Sequence, residues 1–466
     1  MHANIGPLPG DAPPAEKPRE RLISIPYLFL RATTAAGAFA MGFVQTFVFA
    51  RVLSPERFSI FIVVGAIGYT LWITDLGLAK ILFVNLRRPH LAGDRDDQAA
   101  RQATAVISFY IALAIAAALI CFAVVSARPS STLHGAFDLA LFLLYIVLNL
   151  AWFSLRTISI AVDLFVFYER LELTRRVVNI STMLAMLVGL PFTAFLVGSN
   201  LLWCVLFAIA ITKLISRGAL APQLRGAPRD LVTFFQSNWH TVARSSTGAL
   251  SSMFVATFPY YFVPAAYGLG AAPIILEVTM RIFRGACVIF AAICDLAIPG
   301  QTRALAAHDV ERLVKTTLLA VGLCCAPAAI ACGSLIFAGG PLFTFLLRAA
   351  ATVPAGIVPI LVALLLASIL QIVAEALLQY SGYFRSLAFN GAAVVAGMLL
   401  ITAVSAVAKL DIVGFLTAYT AVYCVGAVCL AVAAVRGPIH ATAAHSERPG
   451  MSGLFRAFRP RQVPTA

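Results

Sequence analysis

About twelve apolar runs of roughly 20 residues follow one another along the chain's 466 residues, separated only by short polar turns. Such a run can cross roughly 30 Å of hydrocarbon as a helix, the open-chain element that satisfies its own backbone hydrogen bonds in lipid. The runs cover roughly residues 27–50, 58–80, 103–126, 136–163, 177–198, 200–216, 238–264, 273–298, 316–338, 353–379, 386–408 and 412–435. Composition agrees with them: 61% of residues are hydrophobic, 12% are charged, and mean hydropathy is +0.92. Soluble domains carry roughly 25% charged residues. The sequence therefore predicts an all-α polytopic membrane protein.

The first 24 residues are Pro-rich, carry both charge signs and lack the apolar core of a signal peptide. They read as a cytoplasmic tail. Residues 25–216 are expected to form a first lobe of six helices, 217–237 a cytoplasmic linker, 238–435 a second lobe of six, and 436–466 a basic cytoplasmic tail.

A net charge of +14 can signal nucleic acid, so the positions of the basic residues decide its meaning. They cluster at one end of the runs: Lys17, Arg19 and Arg21, then Arg87, Arg88, Arg95 and Arg101, then Arg170, Arg175 and Arg176. Lys213, Arg217, Arg225, Arg229, Arg303, Arg312, Lys315, Arg385 and Arg436 continue the series, whereas the other end holds Arg51, Arg57, Arg128, Arg348 and Lys409. The positive-inside rule turns this asymmetry into topology. Both termini are expected in the cytoplasm, and the basic excess is an orientation signal that also attracts anionic membrane lipid; no nucleic-acid partner is expected. The nine cysteines all fall in apolar runs without metal-binding spacing, so they read as small buried hydrophobes, and neither metal nor cofactor is expected.

The halves resemble one another at an offset of about 212 positions. Arg31 then falls on Arg244, Phe49 on Phe262, Asp163 on Glu375, Tyr168 on Tyr380 and Asn179 on Asn390. An even number of helices per repeat keeps both lobes in one orientation, related by a pseudo-two-fold axis along the membrane normal.

Ionisable residues inside apolar runs cost about 2.5–3.5 kcal/mol each on insertion scales, and so usually face protein or a wet cavity. In the eighth run, Glu277, Arg281, Arg284 and Asp295 fall within one arc of a helix, with Glu277 placed four residues before Arg281 for an ion pair. The fourth run carries Asn149, Trp152, Arg156 and Asp163 in a similar line. Arg31 and Gln45 mark the first run, Arg244 the seventh, and Gln371 and Glu375 the tenth, while Asp75 lies near Lys80 in the second. These faces predict two lobes around a hydrophilic, partly cationic cavity. Arg31, Arg156, Arg244, Arg281 and Arg284 are its candidate substrate-binding residues; Asp75, Asn149, Asp163, Glu277, Asp295, Gln371 and Glu375 are candidate supporting groups. Gly37, Gly42, Gly65 and Gly68 are read as close-packing positions.

The segment Phe47 to Lys80, FVFARVLSPERFSIFIVVGAIGYTLWITDLGLAK, resembles the polysaccharide and O-antigen flippases of the multidrug/oligosaccharidyl-lipid/polysaccharide (MOP) exporter superfamily. The likeness rests on Ala-Arg, Leu-Ser-Pro-Glu and an aromatic residue, then Asp-Leu-Gly, and continues loosely through VDLFVFYERLELTRRVVN. It implies a MATE-like fold in the bacterial inner membrane that flips a polyprenyl-diphosphate-linked oligosaccharide by alternating access. It also implies arginines holding the headgroup, and as partners a polysaccharide polymerase and chain-length machinery. The second hairpin, PYYFVPAAYGLGAAPIIL, lacks the aspartate found there in that family. The competing readings are a cation-coupled multidrug exporter, which the arginines disfavour by repelling cations, and a membrane-embedded glycan polymerase, ligase or acyltransferase, which the short outer loops disfavour. No phosphate-binding loop is present, and the chain is not expected to be an enzyme.

Overall fold

The computed structural model describes residues 25–445 apart from 76–77, 93, 95, 129–131, 224–225 and 349. The first lobe opens with α1 (Ile25–Val52). A tight turn follows, in which the Ser54 hydroxyl accepts from the Arg57 amide at 3.3 Å and Pro55 takes the first helical position of α2 (Pro55–Thr70). A 3-10 turn, Leu71–Asp75, interrupts this crossing before α3 (Leu78–Ala92) completes it. Next come α4 (Asp97–Ser126), capped by the Asp96 carboxylate, α5 (Leu133–Ala161), capped by Thr132, α6 (Phe165–Ala185) and α7 (Phe192–Ser216).

The second lobe repeats the order. A proline-marked break divides its first crossing into α8 (Ala227–Thr257) and α9 (Pro259–Tyr267). Then follow α10 (Ala271–Ala306), α11 (Val310–Leu347), α12 (Ile357–Tyr380), α13 (Phe384–Ala408) and α14 (Ile412–Ala434), with a short α15 (His440–His445) after a π-turn. Each lobe thus crosses six times, so the chain enters, passes between lobes and leaves at one end of the bundle. That end is called the linker end below, and the opposite one the far end.

Eight described helices, α1, α4, α5, α7, α11, α12, α13 and α14, are long and apolar enough to cross a membrane. The other four crossings, α2 with α3, α6, α8 with α9, and α10, are broken or carry charge, and parts of all four line the space between the lobes. Their polar residues are tolerable because they face protein and a cavity instead of lipid.

The fifth crossing corrects the sequence reading. The charge pattern places Arg170, Arg175 and Arg176 in a loop before 177, yet α6 begins at Phe165 and carries all three. At about 1.5 Å per residue Arg175 lies roughly 15 Å along this helix, at the middle of Phe165–Ala185. Glu172, three and four residues earlier on the same face, pairs with both Arg175 and Arg176 and makes that position affordable. The turn to α7 falls earlier than expected, where Gly189 adopts φ 108° and Pro191 opens the next helix. The repeat register also differs locally: Asp163 sits in the turn after α5 with φ 59°, whereas Glu375 lies inside α12. The residue that shares the post-helix, positive-φ position of Asp163 is Gly382, after α12.

Packing at the far end of the first lobe centres on Phe49, Phe58, Phe61, Phe142 and Phe192, whose rings meet mostly edge-on at 4.8–6.2 Å. Lipid is as apolar as these rings, so contact geometry, and not escape from water, holds them together. Gly65 and Gly68 let α2 approach α5: a side chain at Gly68 would meet Ile146 at 2.6 Å.

Candidate functional site

Between the lobes lies a cavity of about 490 Å³, walled by α1, α2, α5 and α6 on one side and by α8, α9 and α10 on the other. Two arginine clusters dominate its polar surface, each organised by one buried glutamate.

The first cluster lies on α6. Glu172 Oε2 accepts from Trp152 Nε1 and from Arg175 Nε, both at 2.8 Å, while Oε1 accepts from Arg175 Nη2 at 2.7 Å and also pairs with Arg176. Arg175 stacks over the Trp203 ring at 4.6 Å, and the Tyr168 hydroxyl donates to the Trp152 carbonyl at 3.1 Å. The Arg175 side chain is only 4% exposed; Arg176 is 18% exposed. Both arginines still touch the cavity wall.

The second cluster lies on α10. Glu277 Oε1 accepts from Arg281 Nε at 2.6 Å; Oε2 accepts from the Tyr260 hydroxyl at 2.7 Å and faces Arg284 Nη2 at 3.2 Å. Arg284 donates to the Tyr260 oxygen at 2.7 Å and to the Met280 carbonyl at 3.2 Å. Its guanidinium carbon lies 5.4 Å from the Tyr69 ring of the first lobe and 5.3 Å from Tyr260 of the second. Arg281 crosses the lobe boundary, donating to the Gly42 carbonyl and, at 3.3 Å, to Gln45 Oε1.

Helix α1 runs between the clusters and presents small residues to both. A side chain at Gly37 would meet the Arg176 stem at 3.3 Å, and one at Gly42 the Arg281 stem at 3.5 Å. The glycines expected to permit helix packing thus admit arginine stems. Four guanidinium groups face two carboxylates around one cavity, leaving a positive surplus in a medium that screens it poorly.

Of the sequence candidates, Arg281, Arg284, Glu277 and Asn149 lie at this cavity, with Asn149 donating to the Tyr145 and Ile146 carbonyls at 3.0 and 3.1 Å. Arg156 is not in the cavity wall; it faces Glu169 at 3.6 Å within the first lobe. Asp75 accepts from the Tyr110 hydroxyl at 3.0 Å and from the Ala79 amide, away from the cavity, and the side chain of Lys80 lies outside the described residues. Asp163 binds Arg87 at 2.7 Å and His90 at 3.0 Å at the linker end. Burial tends to raise its pKa, but the hydrogen bonds from Arg87 and His90 outweigh that and hold the carboxyl below its ordinary value. Gln371 and Glu375 are half-buried on α12, outside the cavity wall. The side chains of Arg31, Arg244 and Asp295 lie outside the described residues.

Sequence reasoning missed Glu172, Arg175, Arg176, Tyr69 and Tyr260. A usable signal existed: Glu172 precedes its arginines by three and four residues, and Glu277 precedes Arg281 by four and Arg284 by seven, so both helices carry one carboxylate followed by two arginines on a face. Among the described residues, no three His, Cys, Asp or Glu side chains could together hold a metal ion.

No family model matches the sequence, and no curated protein matches it. Solved structures do. A Vibrio cholerae MATE transporter aligns over 89% of this chain and 97% of its own, with TM-score 0.59 and 13% identity. An inward-facing multidrug resistance MATE family transporter of the MOP superfamily aligns over 89% and 96%, with TM-score 0.58 and 12% identity. A MOP superfamily transporter from Pyrococcus furiosus, for which a binding pocket of reversed polarity suggests a different function, aligns over 85% and 98%, with TM-score 0.50 and 13% identity. The chain therefore has the MATE-type fold of two six-helix lobes.

Proposed function

We propose that this protein flips a polyprenyl-diphosphate-linked oligosaccharide across the bacterial cytoplasmic membrane for polysaccharide synthesis, with both termini in the cytoplasm. Transport as such is supported by the shared fold. The choice of substrate rests on one observation, the surplus of guanidinium groups around the interlobe cavity. Guanidinium offers a planar fork of donors that suits phosphate oxygens and keeps its charge when partly desolvated. Arg284 and Arg281, with Arg176 opposite, are the groups assigned to the headgroup. Arg175 serves chiefly to hold Glu172 neutralised.

The fold fits a multidrug exporter of organic cations equally well. What weighs against that reading is charge: four arginines and two glutamates disfavour a cationic guest. The two readings separate in a thermal-shift measurement on the purified protein. A polyprenyl diphosphate is expected to raise the melting temperature and tetraphenylphosphonium to leave it unchanged; the reverse pattern would overturn the flippase assignment. In cells, depletion is expected to strand lipid-linked oligosaccharide on the cytoplasmic leaflet. Normal translocation with shortened glycans would indicate a polymerase instead.

A further inference from the structure

Among the described residues, two groups of hydrogen bonds join the lobes at the far end. At the end of α1, Arg51 Nη2 donates to the Phe345 carbonyl at 2.6 Å, and Nη1 donates both to the Leu346 carbonyl at 3.1 Å and to Phe47 O of its own helix at 2.9 Å. The guanidinium carbon lies 3.5 Å from the centroid of the Phe47 ring and 5.6 Å from that of Phe345, and the two rings are 5.1 Å apart. One turn into α2, Ser59 Oγ donates to the Gly270 carbonyl at 2.8 Å and accepts from the Gly270 amide at 3.1 Å. Gly270 caps α10, so these contacts tie the start of the first hairpin to the start of the second.

We infer that Arg51 is a latch holding the two lobes together at the far end, with Ser59 and Gly270 as its second point of closure. The chemistry suits a releasable contact. The last carbonyls of α11 have no intrahelical donors, and the negative end of the helix dipole favours a cation there. A single fork satisfies two of those carbonyls while its face stacks on aromatic rings from both lobes. Arg51 is only half-buried at the far end, so parting the lobes returns its charge to water and does not strand it in lipid. A fully buried pair would weld the lobes, whereas this one can open and re-form.

The inference needs the lobes to move against each other, as in the proposed transport, but is independent of which substrate is carried. It is tested by distance measurements with spin labels on non-canonical amino acids, which avoid the nine native cysteines, in the full chain reconstituted in nanodiscs. One label pair, Val52 and Leu269, reports the far end across the lobes; a second, Arg170 and Arg385, reports the linker end. In the unaltered protein the first pair should give a short, narrow distribution. Arg51→Gln should shift it to longer distances and lower the ratio of closed to open populations about tenfold or more, the loss expected for hydrogen bonds to a charged donor. Arg51→Lys should shift it less, because the charge remains and the fork does not. The Arg170–Arg385 distance should shorten as the far end opens. If Arg51→Gln does not fold, Ser59→Ala combined with Phe345→Ala should give the same lengthening. An unchanged Val52–Leu269 distribution in a folded variant would overturn the latch, and so would lengthening confined to one lobe's own helices.

Discussion

The clusters on α6 and α10 use the same parts, one glutamate and two arginines, yet their surroundings differ in a way that divides their work. Around Glu172 every direction is walled: Trp152 donates to it, Arg175 lies over the Trp203 ring and is nearly buried, and Arg176 is the more exposed of the two arginines that touch the cavity. Around Glu277 the wall is open, with Arg284 32% exposed between two tyrosines from opposite lobes and Arg281 reaching across to Gly42. The same charge pattern is thus walled in by aromatic rings in one lobe and open to the cavity in the other. Burial, and not residue type, sets the role.

The sharpest way to break this comparison is to remove each carboxylate in turn. Glu172→Gln leaves two arginines against one neutral amide in a buried site and should cost about 3–5 kcal/mol of stability, or prevent folding. Glu277→Gln should cost less, because Arg281 keeps its bond to Gly42 and Arg284 its hydroxyl partner Tyr260. Thermal melts in detergent would show the order; equal losses would mean that the two clusters are structurally alike.

A smaller change sharpens the same point. Trp152→Phe keeps the ring but removes the Nε1 donor to Glu172, and should cost about 1.5 kcal/mol, the low end for a hydrogen bond to a charged group, because both arginines remain. Arg284→Lys is the converse test. Melting temperature should barely move, while affinity for a polyprenyl diphosphate falls about tenfold, or roughly 1.4 kcal/mol, as the fork is lost. Arg175→Lys should do the opposite.

How far this division was legible in the sequence follows from what periodicity can carry. Apolar runs fixed the number of crossings because lipid leaves the backbone few alternatives, and the stripe on α10 stood out because its charges interrupt a long apolar run. The α6 cluster was hidden by its own self-compensation. Glu169, Arg170, Glu172, Arg175 and Arg176 within eight positions read as a solvated loop by local polarity, and only tertiary contacts with Trp152 and Trp203 show why such a stretch can lie inside. Arg156 failed for the related reason that spacing along one helix places it on a face without telling which neighbour covers that face; Glu169 does. Arg51 reads in sequence as an ordinary residue of the outer turn, since its partners are carbonyls of α11 nearly 300 positions away.

The Arg87–Asp163–His90 group at the linker end supplies the mild limit of the comparison, an ion pair with water on hand. Asp163 has a depressed folded-state pKa, so its contribution to stability is present above its unfolded value of about 3.9 and is lost as pH falls through the lower folded value. Its side chain is 53% exposed, so solvent screens most of the interaction. Asp163→Asn should therefore lower the melting temperature slightly at pH 6, and the difference from the unaltered protein should shrink and disappear as pH falls through the lowered folded-state pKa of Asp163. The substitution has a further cost to separate out. Asp163 holds φ 59°, a conformation that asparagine tolerates about as well as aspartate, so Asn isolates the charge, whereas Ala would add backbone strain. A difference that persists unchanged at low pH would mean that Asp163 acts through the turn it forms and not through Arg87 and His90.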